Sequence, residues 1–79
     1  MPHIVVKMYP GRSDAMKRDL TERISRAVQA SLDLDESTVS VAIEEYPPGE
    51  WLEKVFLPEI EGKPAQIWKK PGYDPRKKQ

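Results

Sequence analysis

MPHIVVKMYPGRSD, residues 1–14, contains a strand, a break and the cap of a helix, and the fold follows from how these three are ordered. Residues 3–9, HIVVKMY, are apolar and largely β-branched on both alternations, the pattern of a strand covered on two sides. Pro10 and Gly11 break it, because proline has no amide hydrogen for a ladder and glycine accepts turn conformations. Ser13 or Asp14 can then cap a helix, since either side-chain oxygen accepts from the unpaired amide hydrogens of a first turn. Met16, Leu20, Ile24, Ala27 and Val28 fall on one stripe, with Lys17, Arg18, Glu22, Arg23 and Arg26 filling the rest. The spacing predicts a helix from about residue 14 to about residue 32.

Asp33, Asp35 and Glu36 lie in a connector to STVSVAIEEY, residues 37–46, where Val39, Val41 and Ile43 alternate with Ser40, Ala42 and Glu44. That is the period of a strand. A strand, a helix of about five turns and a second strand make a β-α-β unit, so the strands are predicted to be parallel and joined by a right-handed crossover. One helix covers one face of the pair. The other face, with Val5 and Ala42, requires a second layer.

Further along, Pro47, Pro48 and Gly49 form a turn. EWLEKVFLPEI, residues 50–60, reads as a short helix with Trp51, Leu52, Val55 and Phe56 as its apolar positions, limited or kinked by Pro58. AQIWKK, residues 65–70, reads as a short strand or docking segment carrying Ile67 and Trp68. The fold class expected is α/β (α+β): a β-α-β protomer with parallel strands, plus a short C-terminal helix and a strand or docking segment. Residues 1–79 make a single domain, with 71–79 as a flexible tail.

Composition removes several kinds of chemistry. At 79 residues the core covers its entropy cost with little to spare, which favours help from a partner subunit. The absence of cysteine excludes disulfide scaffolds, thiolate zinc sites and cysteine nucleophiles, and the one histidine, His3, makes no metal cluster by itself. No apolar run is long enough for a membrane span or a signal peptide, so a soluble cytoplasmic protein is expected. Thirteen basic residues balance thirteen acidic ones, but residues 69–79, KKPGYDPRKKQ, carry five basic side chains against Asp74. No basic, aromatic-interleaved face accompanies this tract, which reads as a solvated terminus rather than a nucleic-acid contact.

The opening M-P-H-I, the G-R-S-D of residues 11–14, the S-T-V-S-V strand and the G-E-W of residues 49–51 together resemble the 4-oxalocrotonate tautomerase family. The resemblance spans about residues 2–51, and the longer ending with KKPGY is similar to the family's short dimeric members rather than its hexameric ones. It implies a β-α-β protomer working as a homodimer, without metal or organic cofactor. Its catalytic base would be the ring nitrogen of Pro2 once Met1 is removed. Arg12 would hold the carboxylate of a small 2-oxo acid, and Trp51 would stand as the aromatic wall where the family usually has phenylalanine. In the type enzyme a second arginine lies in the second strand, and the matching position here is Ser40. A dicarboxylate would lose an anchor there, which points to a monocarboxylate with an apolar or aromatic end, such as phenylenolpyruvate.

Elementary chemistry fits these roles. Moving a proton between carbon and oxygen of a 2-oxo acid needs a base that is unprotonated near neutrality yet still basic. An α-amino group titrates at about 7.7 to 8.0, and burial beside Ile4 and Trp51 or a nearby Arg12 would lower it. The planar fork of Arg12 matches a carboxylate with two parallel hydrogen bonds. Charge developing on the 2-oxygen calls for donors, which backbone amides or the Ser40 hydroxyl can supply. Plainer explanations stand beside these. Trp51 serves equally well as a core aromatic, His3 as a strand residue facing solvent or an interface, and Pro2 as a residue compatible with methionine removal. Two other functions fit the same residues: a hydratase or dehalogenase acting on an unsaturated acid, with a protonated proline as acid, and a non-catalytic oligomeric binding module.

Overall fold

β1 (His3–Met8) and β2 (Ser40–Glu45) pair in parallel, with His3 opposite Ser40 and each following residue in step to Met8 opposite Glu45. The structure is a computed structural model that describes residues 1–77. Both strands are shorter than their sequence patterns. Pro10 stops the first one early, and residues 37–39 are taken from the second by a 3₁₀ turn over Glu36–Thr38. There the Asp35 carboxylate accepts from the Ser37 amide at 3.1 Å and the Thr38 hydroxyl donates to the Asp35 carbonyl at 2.7 Å, so local bonds outcompete the ladder.

Between the strands runs α1 (Asp14–Leu32). Ser13 is its cap, accepting from the Met16 amide at 3.1 Å. The helix ends where Asp33 turns left-handed at φ 55°, a conformation that aspartate accepts better than most residues, and the Leu34 amide returns to the Gln29 carbonyl at 3.1 Å. Ser13→Ala is expected to cost about 1 kcal/mol, read as a lower urea midpoint at unchanged slope.

The stripe that α1 turns to the sheet differs from the predicted one. Leu20, Ile24 and Val28 are half-buried, but Met16 is 57 % exposed and Ala27 is exposed, while Lys17, Thr21 and Ser25 are half-buried instead. Lys17 explains the rotation: its ammonium reaches the Glu45 carboxylate at 3.4 Å, so its stem lies along the apolar surface with the charge paired at the sheet's end. Val39, Val41 and Ile43 line the grooves beside α1, and with them goes the alternation Ile4, Val6 and Met8. His3, Val5 and Lys7, paired with Ser40, Ala42 and Glu44, form the opposite face, which is open; Val5 is 41 % exposed there.

The chain falls into two compact units, Met1–Glu45 and Tyr46–Gln79. The second begins with α2 (Pro48–Trp51), whose proline sits at the helix start where its missing amide is harmless. The helix continues as a π-helix over Leu52–Glu61, and Pro58 lies inside it. The expected limit at Pro58 is therefore met by a wider helix and not by a stop: in an α-helix the ring would collide with the carbonyl four residues back. Gly62 follows because a Cβ there would stand 2.7 Å from the Leu57 carbonyl oxygen. AQIWKK forms no strand. A 3₁₀ turn occupies Pro64–Gln66, and Trp68 is left 97 % exposed; prolines at 64 and 71 remove ladder donors on both sides.

Trp51, Val55 and Phe56 are the buried apolar residues, with Tyr46, Leu52 and Ile60 packed against them. Residues 73–76 make contacts with this core; of the tail expected over 71–79, residues 78 and 79 lie outside the described residues. The Trp51 indole donates to the Tyr73 hydroxyl at 2.8 Å, the Tyr73 ring lies 5.8 Å from Phe56, and Arg76 stands 5.5 Å over the Phe56 centroid. Arg76 also binds Asp74 at 2.8 Å and the Glu61 carboxylate. Its hydrogen bond holds the Asp74 carboxyl down to about 2, below the ordinary 3.8. A carboxyl depressed on folding stabilises fully above its unfolded value and loses that contribution as pH falls toward the folded one. The signals of Arg76 and Tyr73 are thus expected to shift between about pH 4 and pH 2 and to stay flat from pH 6 to 8, and Asp74→Asn should remove the acid step.

Candidate active site

Pro2 is half-buried immediately ahead of β1, and its carbonyl accepts from the Ser40 amide at 3.2 Å, which pins it to the start of β2. Met1 in front of it is 96 % exposed. Losing that residue removes almost no packing and frees the ring nitrogen. In sequence phase Pro2 continues the Ile4 side of the strand, the side that α1 covers.

Ser40 is exposed and lies on the open face, where its hydroxyl oxygen is 2.6 Å from Nδ1 of His3. The parallel register makes these two residues partners as the first positions of their strands. His3, expected as a strand residue facing solvent or an interface, is exposed at the head of its strand, as Ser40 is at the head of the other.

Arg12 is exposed in the loop that leaves the far end of β1, between Gly11 at φ 120° and the cap Ser13. From Pro2 to Met8 the strand advances about 20 Å at ~3.3 Å per residue, more than an arginine side chain spans. A single chain therefore brings Pro2 and Ser40 together at one end of the sheet and leaves Arg12 at the other. Trp51 belongs to the second unit, 8 % exposed, its ring edge-on to Tyr46 at 6.4 Å and 77°. Its core role is plain from this packing.

A groove of ≈ 500 Å³ between α1 and β2 is lined by Asp14, Lys17, Arg18, Thr21, Glu22, Ile43 and Glu45. Its charges are largely neutralised within it, Lys17 lying 3.5 Å from Asp14 and 3.4 Å from Glu45. None of the residues expected to act on a substrate lines it. Among the described residues no group of three or more His, Asp or Glu is placed to hold a metal ion, and no helix is long and apolar enough to cross a membrane.

The sequence profile of the family described as tautomerase enzyme matches residues 2–55, and the chain belongs to that family. Across 73 residues it is 42 % identical to a probable tautomerase of Xylella fastidiosa (strain 9a5c), covering 92 % of this chain and 89 % of the relative. It is also 37 % identical over 75 residues to tautomerase PptA of Cronobacter sakazakii (strain ATCC BAA-894), covering 94 % and 99 % of the two chains. Among solved structures it is similar to TomN, a 4-oxalocrotonate tautomerase homologue of tomaymycin biosynthesis, at a TM-score of 0.62 and 34 % identity. That likeness covers 63 % of this chain and 77 % of TomN. The α+β class and the family resemblance are thereby established, and with them an isomerase of the tautomerase type.

Proposed function

We propose that the chain, without Met1, catalyses enol–keto tautomerisation of a small 2-oxo acid and does so between two copies. The observation that carries this is the family match, which begins at Pro2 itself. The uncharged Pro2 nitrogen takes the proton from the 2-hydroxyl of the enol, the electron pair moves to form the 2-keto group, and the protonated nitrogen returns its proton to C3. Arg12 holds the carboxylate through two parallel charge-assisted hydrogen bonds. Ser40 stands at the same end of the sheet as Pro2 but on its open face, so backbone amides are the donors to the 2-oxygen within one chain.

Because Pro2 and Arg12 lie at opposite ends of β1, the arginine of each site comes from the second copy. Two further observations support a homodimer. The sheet has an open face, and a two-stranded sheet with one helix is a marginal structure alone.

The substrate class is tested by ultraviolet absorbance, comparing phenylenolpyruvate with a dicarboxylate enol such as 2-hydroxymuconate. Faster turnover of the monocarboxylate is expected, because Ser40 offers no second cation. Preference for the dicarboxylate would overturn the substrate assignment, and no turnover of either enol would overturn the base.

A further inference from the structure

Pro2 stands ahead of β1, at the end of the ladder, where a proline nitrogen brings no amide hydrogen to the sheet. Its carbonyl accepts from the Ser40 amide at 3.2 Å, and that is the first bond of the ladder. The terminal bond of a ladder opens most readily, and chain ends fray unless they are tied down. A base misplaced by about 1 Å can lose on the order of 10²-fold in rate, so the proposed chemistry needs this end fixed. Ser40 has a second grip on the same segment: its hydroxyl oxygen lies 2.6 Å from Nδ1 of His3, the residue directly after Pro2. Both side chains are on the open face, opposite the side that Pro2 continues, so within one chain the pair faces away from a substrate at the Pro2 nitrogen.

We infer that the His3–Ser40 bond is a clamp that places the Pro2 nitrogen, which makes His3 and Ser40 positioning residues of the reaction. The Ser40 amide holds Pro2 and the Ser40 hydroxyl holds His3, so one residue of β2 grips two successive residues at the head of β1. Two points of attachment set the direction of the chain end as well as its place. Strand register supplies the pairing, since His3 stands opposite Ser40 as the first residue of its strand. A hydroxyl both donates and accepts, so the clamp holds whether Nδ1 carries a hydrogen or offers a lone pair. One such bond shifts a local equilibrium roughly 2- to 12-fold, which matters most at a terminus whose opening costs little. The inference rests on the tautomerase reading above and names what holds its base.

The test combines amide exchange by NMR with steady-state kinetics on the chain beginning at Pro2, using whichever of the two enols it turns over. Exchange of the Ser40 amide reports each opening of its bond to Pro2, and His3→Ala leaves the sequence neighbours of that amide unchanged. In His3→Ala the Ser40 amide is expected to exchange roughly 2- to 12-fold faster, while the Ala42 amide, next in phase along β2, keeps its rate. The same variant should lose about 2- to 10-fold in kcat at unchanged KM, and His3→Asn, whose amide puts a polar atom where Nδ1 stands, should recover most of the loss. Ser40→Ala and the double variant should lose no more than His3→Ala, since each removes the same bond. His3 and Ser40 are exposed, so all of these variants keep the wild-type circular dichroism. Unchanged exchange at Ser40, unchanged kcat, or losses that multiply in the double variant overturn the clamp and leave catalysis by Pro2 standing. A processed wild type that turns over neither enol overturns the tautomerase reading and the positioning role together.

Discussion

A chain that keeps Met1 is expected to turn over an enol substrate about 10²–10⁴-fold more slowly than the same chain beginning at Pro2, the weight of a positioned general base. The amide of a Met1–Pro2 bond has no basic lone pair, whereas the free secondary amine does. Pro2→Ala should fall less far, because a primary amine remains at nearly the same place. Arg12→Ala removes a paired charge-assisted contact and is expected to lower kcat/KM by roughly 10- to 150-fold, chiefly through KM, since the carboxylate is bound alike in ground and transition states. The geometry adds a sharper expectation. Arg12 and Pro2 of one chain lie at opposite ends of β1, about 20 Å long, so the proposed site would take one from each copy. Mixing equal amounts of the Met1-retaining chain and Arg12→Ala should regain about one quarter of wild-type activity, since half the dimers are mixed and one of their two sites is whole. Sites complete within single chains would regain none, and a steady-state assay distinguishes the two.

Phe56→Ala is expected to be the most destabilising single change, at about 3–5 kcal/mol by urea unfolding. Phe56 is 6 % exposed, packs beside Trp51 and Val55, and carries the Tyr73 ring and the Arg76 guanidinium on its surface. Cutting it to a methyl removes the support of the C-terminal residues as well as core volume. A domain of this length holds roughly 4–12 kcal/mol in total, so the loss is a large fraction of what there is. Leu57, one residue on but 37 % exposed, is the control. Leu57→Ala should cost clearly less, under about 1.5 kcal/mol, and equal costs would mean that burial in this unit does not set its stability.

The β-α-β unit was legible because its signals are local. The run HIVVKMY, the break at Pro10 and Gly11 and the Ser13 cap each act within a few residues, and the structure places β1, the turn and α1 in that order. Rotation of α1 was not legible, because it depends on Lys17 meeting Glu45 twenty-eight positions later. The second unit was the harder half for the same reason. Pro58 in sequence signals an interruption, and only the packed chain shows a wider helix carrying past it. The basic composition of residues 69–79 carries no sign of the contacts of Tyr73 with Trp51 and Phe56, of Arg76 with Phe56 and Glu61, or of Asp74 with Arg76. At the candidate site the identities of Pro2, Arg12, Ser40 and Trp51 came from short motifs. Their separation did not, since motif order along a chain does not say which end of a strand each residue occupies. The bond of His3 to Ser40 was not legible, because it is set by strand register alone.

The most direct test is a titration of the Pro2 nitrogen in the processed chain, followed by ¹⁵N NMR with a mass spectrum of the terminus on the same sample. A terminus beginning at Pro2 whose nitrogen titrates below the ordinary α-amino value of about 7.7 is the expected result, with activity rising as that nitrogen loses its proton. A sample that uniformly retains Met1, or a nitrogen that titrates at about 7.7 to 8.0 like a solvated terminus, would contradict catalysis by Pro2.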